Sequence, residues 1–470
     1  MKRNSSNSLL FLLFLLIHVI LNSCIISVEA RKSHTKNTKP HKFHKDHGHG
    51  HLAHSPSPAP PPTQTQTQTT SFDVLSFGAK ANGISDDSKA LKAAWEAACK
   101  VDGAIVKIPA EHRFLIKPIT LQGPCMPNLT LQIDGTLIAP PAISSWPKSS
   151  LFQWINLKNI HSFTIQGSGT INGQGCNWWT TSQIYHMQKK GYYSKQIPSM
   201  KPTAVRFYSS NDVTVRDIKI INSPLCHLKF DNSKGIKVNN ITISSPENSQ
   251  NTDGIHLQNS QDVEIQHSNI GSGDDCVSIQ TGCANIHIHH IICGPGHGIS
   301  VGGLGKDKSV ACVSNIMVND VSMQNTLYGV RIKTWQGGIG MVKNVSFSRV
   351  QVQDVKIPVM VDQYYCDKHV CKNQTGTVVI SGVNFDKIHG TYSYQPVHIA
   401  CSNSIPCTNI DLTDIQLRPS LRYRGFQQAL CWNSYGKSQG SLQPSSIDYC
   451  LRSGGGYIKK IARSHDSLCY

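Results

Sequence analysis

Two apolar residues flanking one variable residue, usually preceded by a small or polar residue, recur along most of the chain. The figure appears as "NLTL" from Asn128, "DVTV" from Asp212, "GIKV" from Gly235 and "DVEI" from Asp262. It returns as "NIHI" from Asn285, "NIMV" from Asn315, "NVSF" from Asn344 and "NIDL" from Asn409. Alternation with period two predicts short strands that bury one face. Counted from Val213, the first apolar position recurs at Ile236, Val263, Ile286, Ile316 and Val345, at intervals of 23, 27, 23, 30 and 29 residues. A period of that size made of short strands predicts a solenoid, with each turn stacked about 4.8 Å from the last through parallel strands. The expected fold is all-β, a right-handed parallel β-helix. A β-sandwich fits less well, because the repeat lacks the tight two-residue hairpin turns that fold prefers.

The pattern changes at both ends. "DDSKALKAAWEAAC", from Asp86 to Cys99, is Ala/Lys/Leu-rich with helical period. It predicts a short N-terminal helix capping the first turn, one of its two leading carboxylates holding backbone N–H groups. Residues 31–71 carry no hydrophobic pattern and cannot bury a core, so a disordered or extended basic tail is expected there. Its seven histidines offer metal ligands without a fixed geometry, and a solvated tether is the better reading. Residues 1–30 read as a secretory signal: Lys2 and Arg3, an apolar stretch from Leu9 to Leu21, and "VEA" ending at Ala30. No later stretch reaches spanning length. The expectation is a secreted, soluble monomer with no membrane association after cleavage, its β-helix running over residues 72–470.

Secretion permits disulfides, and the chain has 16 cysteines. Loss of Cys24 with the signal leaves an odd number, so at least one thiol is expected to stay unpaired. Cys366/Cys371 and Cys401/Cys407 are candidate local staples, and Cys276/Cys293 a candidate link between neighbouring segments. No CxxC cluster suggests zinc. Sequons stand at Asn128, Asn240, Asn344 and Asn373. The formal net charge of +17, without a nucleic-acid-binding motif, points to an acidic extracellular partner, best a polyanionic carbohydrate.

The coil brings distant residues into register. Asp253 in "NTDGIH", the adjacent Asp274 and Asp275 in "GSGDDCVS", and His297 in "GPGHGIS" follow one another at roughly one turn each. Arg331 and Lys333 in "GVRIKTWQGG" lie two apart, on one face of an extended segment. Alone, each has a bland reading as a turn carboxylate, a loop histidine or a solvated strand face. Together they make three carboxylates, an imidazole and two cations at compatible spacing. Three close carboxylates cannot all ionise cheaply, so one should keep a proton and serve as a general acid while its neighbours activate water. The cations suit a substrate carboxylate.

"NTDGIH", "GSGDDCVSIQ", "GPGHGISVGGLG" and "GVRIKTWQGG", in that order, resemble the four signature motifs of polygalacturonases, the pectin-degrading glycoside hydrolases of family 28. The resemblance runs from about Phe72 to about Leu417 and takes in "GTINGQGCNWW" and "NSPLCHLKF". It implies inverting hydrolysis of α-1,4 bonds between galacturonic acid units of cell-wall pectin, on a right-handed β-helix without a metal or organic cofactor. It leaves endo or exo action open. By resemblance Asp274 is the general acid, Asp253 and Asp275 hold and activate water, and His297 tunes the acid. Arg331 and Lys333 grip the galacturonate carboxylate, and Tyr365 in "VDQYYC" lines the cleft, with Tyr364 beside it as the alternative register. Three rivals fit less well. One is a relative acting on rhamnogalacturonan or xylogalacturonan, another a calcium-dependent pectate lyase. The third is a non-catalytic pectin-binding protein, which would gain nothing from three carboxylates.

Overall fold

The apolar ladder anticipated from the repeat forms the spine of the coil. In the computed structural model, Val213 pairs with Ile236, Ile236 with Val263, Val263 with Ile286, Ile286 with Ile316, and Ile316 with Val345. The ladder continues through Val383 and Ile410. The described residues are 70–147, 153–180, 201–367, 374, 376–422, 425–453 and 468–469. The chain divides into two units, 1–68 and 69–470, and everything described lies in the second. The signal, nearly all of the predicted tail, the Cys366/Cys371 pairing and the sequon at Asn373 fall outside the described residues. The first strand, Ser71–Asp73, begins one residue before the predicted start of the coil.

Two sheets, one of 20 strands and one of 11, wind into a right-handed parallel β-helix. Each inward column is nearly sealed from water: Leu228, Ile255, Val277, Ile299, Val330, Val359 and Val397 stack through the 11-stranded sheet at 0 % exposure. Burying each such aliphatic side chain stabilises the fold by about 1.5–3 kcal/mol. Aromatic side chains stack the same way, Phe207 on Phe230 with centroids 5.1 Å apart and Phe347 on Phe385 at 5.4 Å.

The polar residue that opens each sequence figure proves to be a corner. Asp212, Asp262, Asn285, Asn315, Asn344 and Asn409 all adopt positive φ, between 52° and 57°. Asn and Asp tolerate this left-handed conformation better than other residues with a Cβ. Their amides also form a ladder along the coil: Asn344 donates to Asn315, Asn315 to Asn285 and Asn285 to Asp262, at 2.7–2.9 Å. The sequon side chain of Asn344 is therefore a rung of this ladder.

At the N-terminal end, the helix Ser88–Ala98 buries Leu91, Ala94 and Trp95. The Trp95 ring meets Phe163 edge-on at 5.4 Å. The two leading carboxylates divide their work. Asp86 accepts from the backbone N–H of Ser88, in the first turn, whereas Asp87 turns away to accept from Lys80 and Ala81. At the other end, the strands Leu430–Trp432 and Ser434–Gln443 extend both sheets beyond Leu417.

Of the anticipated cross-links, Cys276–Cys293 and Cys401–Cys407 are present. Cys99–Cys125, Cys312–Cys469 and Cys431–Cys450 join them. Cys226 and Cys283 are buried free thiols. Burial pushes the Cys283 thiol up to about 12, so it behaves as a small apolar group. No helix among the described residues is long and apolar enough to cross a membrane.

Replacing Ile286 by Ala, at the middle of the ladder, should lower unfolding stability by about 2–5 kcal/mol. Denaturant titration checks this, and a cost below 1 kcal/mol would mean the ladder relaxes freely around the void.

Candidate active site

One strand of the 11-stranded sheet follows each acidic segment. Asp253 immediately precedes Ile255–Gln258, Asp274 and Asp275 precede Val277–Ile279, and His297 precedes Ile299–Leu304. The next two strands, Tyr328–Trp335 and Ile357–Tyr365, carry Arg331, Lys333 and Tyr365. Pairing puts Ser278, Ser300 and Arg331 in one column. These side chains point away from the Val277–Ile299–Val330 core column, because alternate residues of a strand face opposite sides. The Cys276–Cys293 disulfide anchors the residue after Asp275 to the end of the strand Cys283–Cys293 in the other sheet.

Asp275 is the most constrained member. Its side chain is 2 % exposed, and both oxygens are occupied. Oδ1 accepts from Arg331 Nη2 at 2.7 Å and from Ser300 Oγ at 2.8 Å, while Oδ2 accepts from Lys333 Nζ at 2.9 Å. Arg331 Nε in turn donates to Ser300 Oγ at 3.0 Å. Burial alone would raise the Asp275 pKa, but the charges of Lys333 and Arg331 outweigh it and hold the carboxyl at about 2. Asp275 is thus an anion at any working pH. The two cations, themselves buried, are bound first to the protein's own carboxylate. Each keeps further N–H donors for a second anion.

Asp253 has the opposite setting. Burial, then the negative charge of Asp274, raises its pKa; the hydrogen bond from His256 Nδ1, 2.8 Å from Oδ2, partly offsets this. The carboxyl shifted upward is therefore Asp253. Asp274 lies between the two in contacts. Its Oδ1 is 2.9 Å from His297 Nδ1, and its Oδ2 accepts from Asn251 Nδ2 at 3.3 Å. The backbone N–H of His297 donates to the Asp274 carbonyl at 2.8 Å, which fixes the ring beside the carboxylate. Ligand-type atoms of Asp274, Asp275 and His297 all lie within 4.8 Å of one another.

Aromatic rings complete one wall. Arg331 lies over Tyr328 with its central carbon 4.1 Å from the ring centroid, and Lys333 over Tyr365 at 5.3 Å. Tyr365 meets Trp335 edge-on at 5.2 Å. The neighbouring Tyr364 instead uses its hydroxyl to accept from the Asn403 backbone N–H, at 3.0 Å, so of these two it is Tyr365 that faces Lys333. The floor leaves no room for side chains. A methyl at Gly302, where φ is +127°, would lie 2.0 Å from the Lys333 carbonyl oxygen.

All seven residues singled out in the sequence converge here. Reading by motif missed His256, Ser300, Asn251 and Tyr328. The first three sit within a few residues of a motif carboxylate or histidine; His256 bonds Asp253 in its own segment, whereas the partners of Asn251 and Ser300 belong to neighbouring turns.

An ionised carboxylate clamped by two cations, beside a second whose pKa is raised and a third held by histidine, is equipment suited to acid–base hydrolysis. The comparisons agree with that class. The model for glycosyl hydrolases family 28 matches residues 100–434. A probable polygalacturonase of Arabidopsis thaliana is 38% identical over 399 residues, covering 84% of this chain and 87% of that one. A polygalacturonase of Malus domestica is 40% identical over 352 residues, 74% of each chain. The chain belongs to glycosyl hydrolase family 28. In fold it matches the polygalacturonase of Erwinia carotovora, with a TM-score of 0.61 at 23% identity over 82% of this chain and 99% of that one. It also matches endopolygalacturonase I of Stereum purpureum, solved with two galacturonates, with a TM-score of 0.56 at 18% identity over 74% of this chain and 98% of that one.

The raised pKa of Asp253 has a consequence for stability. The unfolded chain ionises this carboxyl near pH ~3.9, while the folded chain resists until higher pH. Native stability is therefore eroded as pH rises through that window and stays eroded above it. Asp253→Asn should raise the melting temperature at pH 7 but not at pH 3, where the carboxyl is protonated in both states. Thermal melts at the two pH values test this; an equal shift at both would show that the gain is not electrostatic.

Proposed function

We propose that the protein is a secreted polygalacturonase, hydrolysing α-1,4-galacturonosyl linkages of pectin with inversion at the anomeric carbon. The buried clamp of Asp275 by Arg331 and Lys333 carries this reading. It places two cations, with donors to spare, beside three carboxylates, where a polyanionic sugar chain needs both charge recognition and acid–base groups. The polygalacturonase names of relatives at 38–40% identity support the substrate class. The signal-like leader, the disulfides and the net charge of +17 support an extracellular, cell-wall setting.

In this mechanism Asp274 protonates the glycosidic oxygen as the bond breaks, and His297 orients it. Asp275 and Asp253 hold the attacking water, and Asp253, the carboxyl whose proton affinity is raised, takes up its proton. Burial, and then the charge of Asp274, raise the proton affinity of Asp253 and suit it to that step. Arg331 and Lys333 draw the substrate carboxylate toward the cleavage point, and Tyr365 lines the same wall.

Asp274→Asn should lower kcat by about 10²–10⁴-fold with little change in binding. Unchanged turnover on polygalacturonate would remove the acid from Asp274. NMR of the first-formed product anomer tests inversion, and retained configuration would overturn the mechanism. Arg331→Ala should weaken substrate binding and also slow turnover, since it loosens Asp275. Unaltered KM and kcat would rule out the clamp.

A further inference from the structure

Four histidines gather on the outer side of the 20-stranded sheet, on a different sheet from the acid cluster. His287, His289 and His290 belong to the strand Cys283–Cys293, and His267 follows the strand Gln261–Gln266 by one residue. These two strands pair so that Glu264 lies beside His287 and Gln266 beside His289. Positions 287 and 289, two apart, share the outward face. The rings of His287 and His289 stack with centroids 4.3 Å apart, and those of His267 and His290 at 4.7 Å.

The hydrogen bonds decide which ring nitrogens of this cluster are left as lone pairs. Asn319 donates its amide to Asp320 at 2.6 Å, which turns its oxygen toward His287 Nε2, 2.8 Å away. His287 therefore carries its proton on Nε2 and leaves Nδ1 as a lone pair. His289 Nδ1 lies 2.8 Å from His290 Nδ1, so one of these two atoms carries the shared proton. With it on His289, the other nitrogen of that ring, Nε2, is a lone pair. This atom is buried without a hydrogen-bond partner and faces Glu264 Oε1 across 3.5 Å. In that state a lone pair and a carboxylate oxygen face each other, an arrangement that a cation between them would stabilise; a proton on Nε2 would instead make the contact a His289–Glu264 ion pair.

A proton bridges 3.5 Å poorly. A divalent ion fits it: bonds of 2.0–2.2 Å at a tetrahedral angle hold two ligand atoms about 3.4 Å apart. Ligand-type atoms of Glu264, His287 and His289 all lie within 4.8 Å of one another. The outward-facing side chains can close the wider separations by rotation. The Asn319 bond to His287 is the outer-shell support that metal-bound imidazoles use.

We propose that Glu264, His287 and His289 form a binding site for a divalent first-row transition ion such as zinc, which clips two adjacent turns of the coil together. Two imidazoles and a carboxylate leave the fourth position to water. The site stands apart from hydrolysis and supplies stability by binding the folded chain.

The test is zinc titration of the full-length protein, stripped with chelator, against Glu264→Gln, His287→Ala and His289→Ala, with equilibrium dialysis as readout. The seven histidines between residues 31 and 71 are common to all four proteins, so their binding cancels. The wild type should hold one more zinc per chain than each variant, or bind that zinc at least ten-fold more tightly. Zinc should raise its melting temperature more than theirs. Near-UV circular dichroism checks that each variant is folded. Asn319→Ala, which spares all three ligands, should weaken the same zinc about 10–100-fold and serves if a ligand variant fails to fold. Equal stoichiometry and affinity across all the proteins would overturn the proposal. So would a pH-dependent melting temperature that Glu264→Gln abolishes without any zinc binding, since Glu264 and His289 would then be a simple ion pair.

Discussion

Parallel stacking in register is the constraint on which everything else in this molecule depends. Each turn must set an apolar side chain above the apolar side chain of the turn before, one strand spacing away. Val213 through Ile410 satisfies this across eight residues even though the sequence intervals vary. The variation is confined to segments outside the ladder, such as the turn around Lys306–Lys308. Corners obey the same rule. An Asn or Asp that accepts positive φ also bonds to the equivalent residue one turn away, so backbone geometry and lateral cohesion come from a single side chain.

The active site uses this rule against its usual purpose. Stacking like on like suits apolar residues and amides, but three carboxylates brought within two turns repel. The structure answers differently at each one. Asp275 is neutralised by Arg331 and Lys333 from two turns further along and becomes a permanent anion. Asp253 is buried against Asp274 with His256 and the Cys226 thiol beside it and no cation like those at Asp275, so protonation relieves it. One motif spacing thus yields carboxyls of opposite proton affinity. Residues beside them decide the difference, not the carboxyls themselves.

That explains what was legible in the sequence. The fold was legible because a ladder is periodic: the apolar figure and the residue before it each recur and can be counted. The gathering of Asp253, Asp274, Asp275 and His297 was legible for the same reason. Arg331 and Lys333 were also placed correctly on one face, but their prior engagement with Asp275 was not, because spacing along the chain does not reveal which anion a cation meets first. His256 and Ser300 lay inside quoted motifs yet carried no periodic signal. Short cysteine spacings, 276/293 and 401/407, were readable. Cys312–Cys469 was not, since its halves lie 157 residues apart. The strand Ser434–Gln443 lay inside the expected span of the coil but was not marked by the recurring figure, because its alternation has faded, with "SYGKSQGSLQ" offering few apolar residues to count.

The ladder also accounts for how polar clusters arise far from any cleft. Where consecutive turns place histidine and glutamate at neighbouring outward positions, as at Glu264, His287 and His289, stacking holds their ring nitrogens and carboxylate oxygens near one another whether or not they attract. In water such groups would drift apart; on a rigid coil they cannot. The cluster must then be relieved by hydrogen bonds, by protons or by a cation. Asn319 and His290 satisfy some of the nitrogens, and the unpartnered Nε2 of His289 marks where relief is incomplete. The same reasoning applies at Asp275, where the relief comes from Arg331 and Lys333 within the chain. A solenoid that enforces proximity creates sites wherever its own residues fail to neutralise what it has stacked.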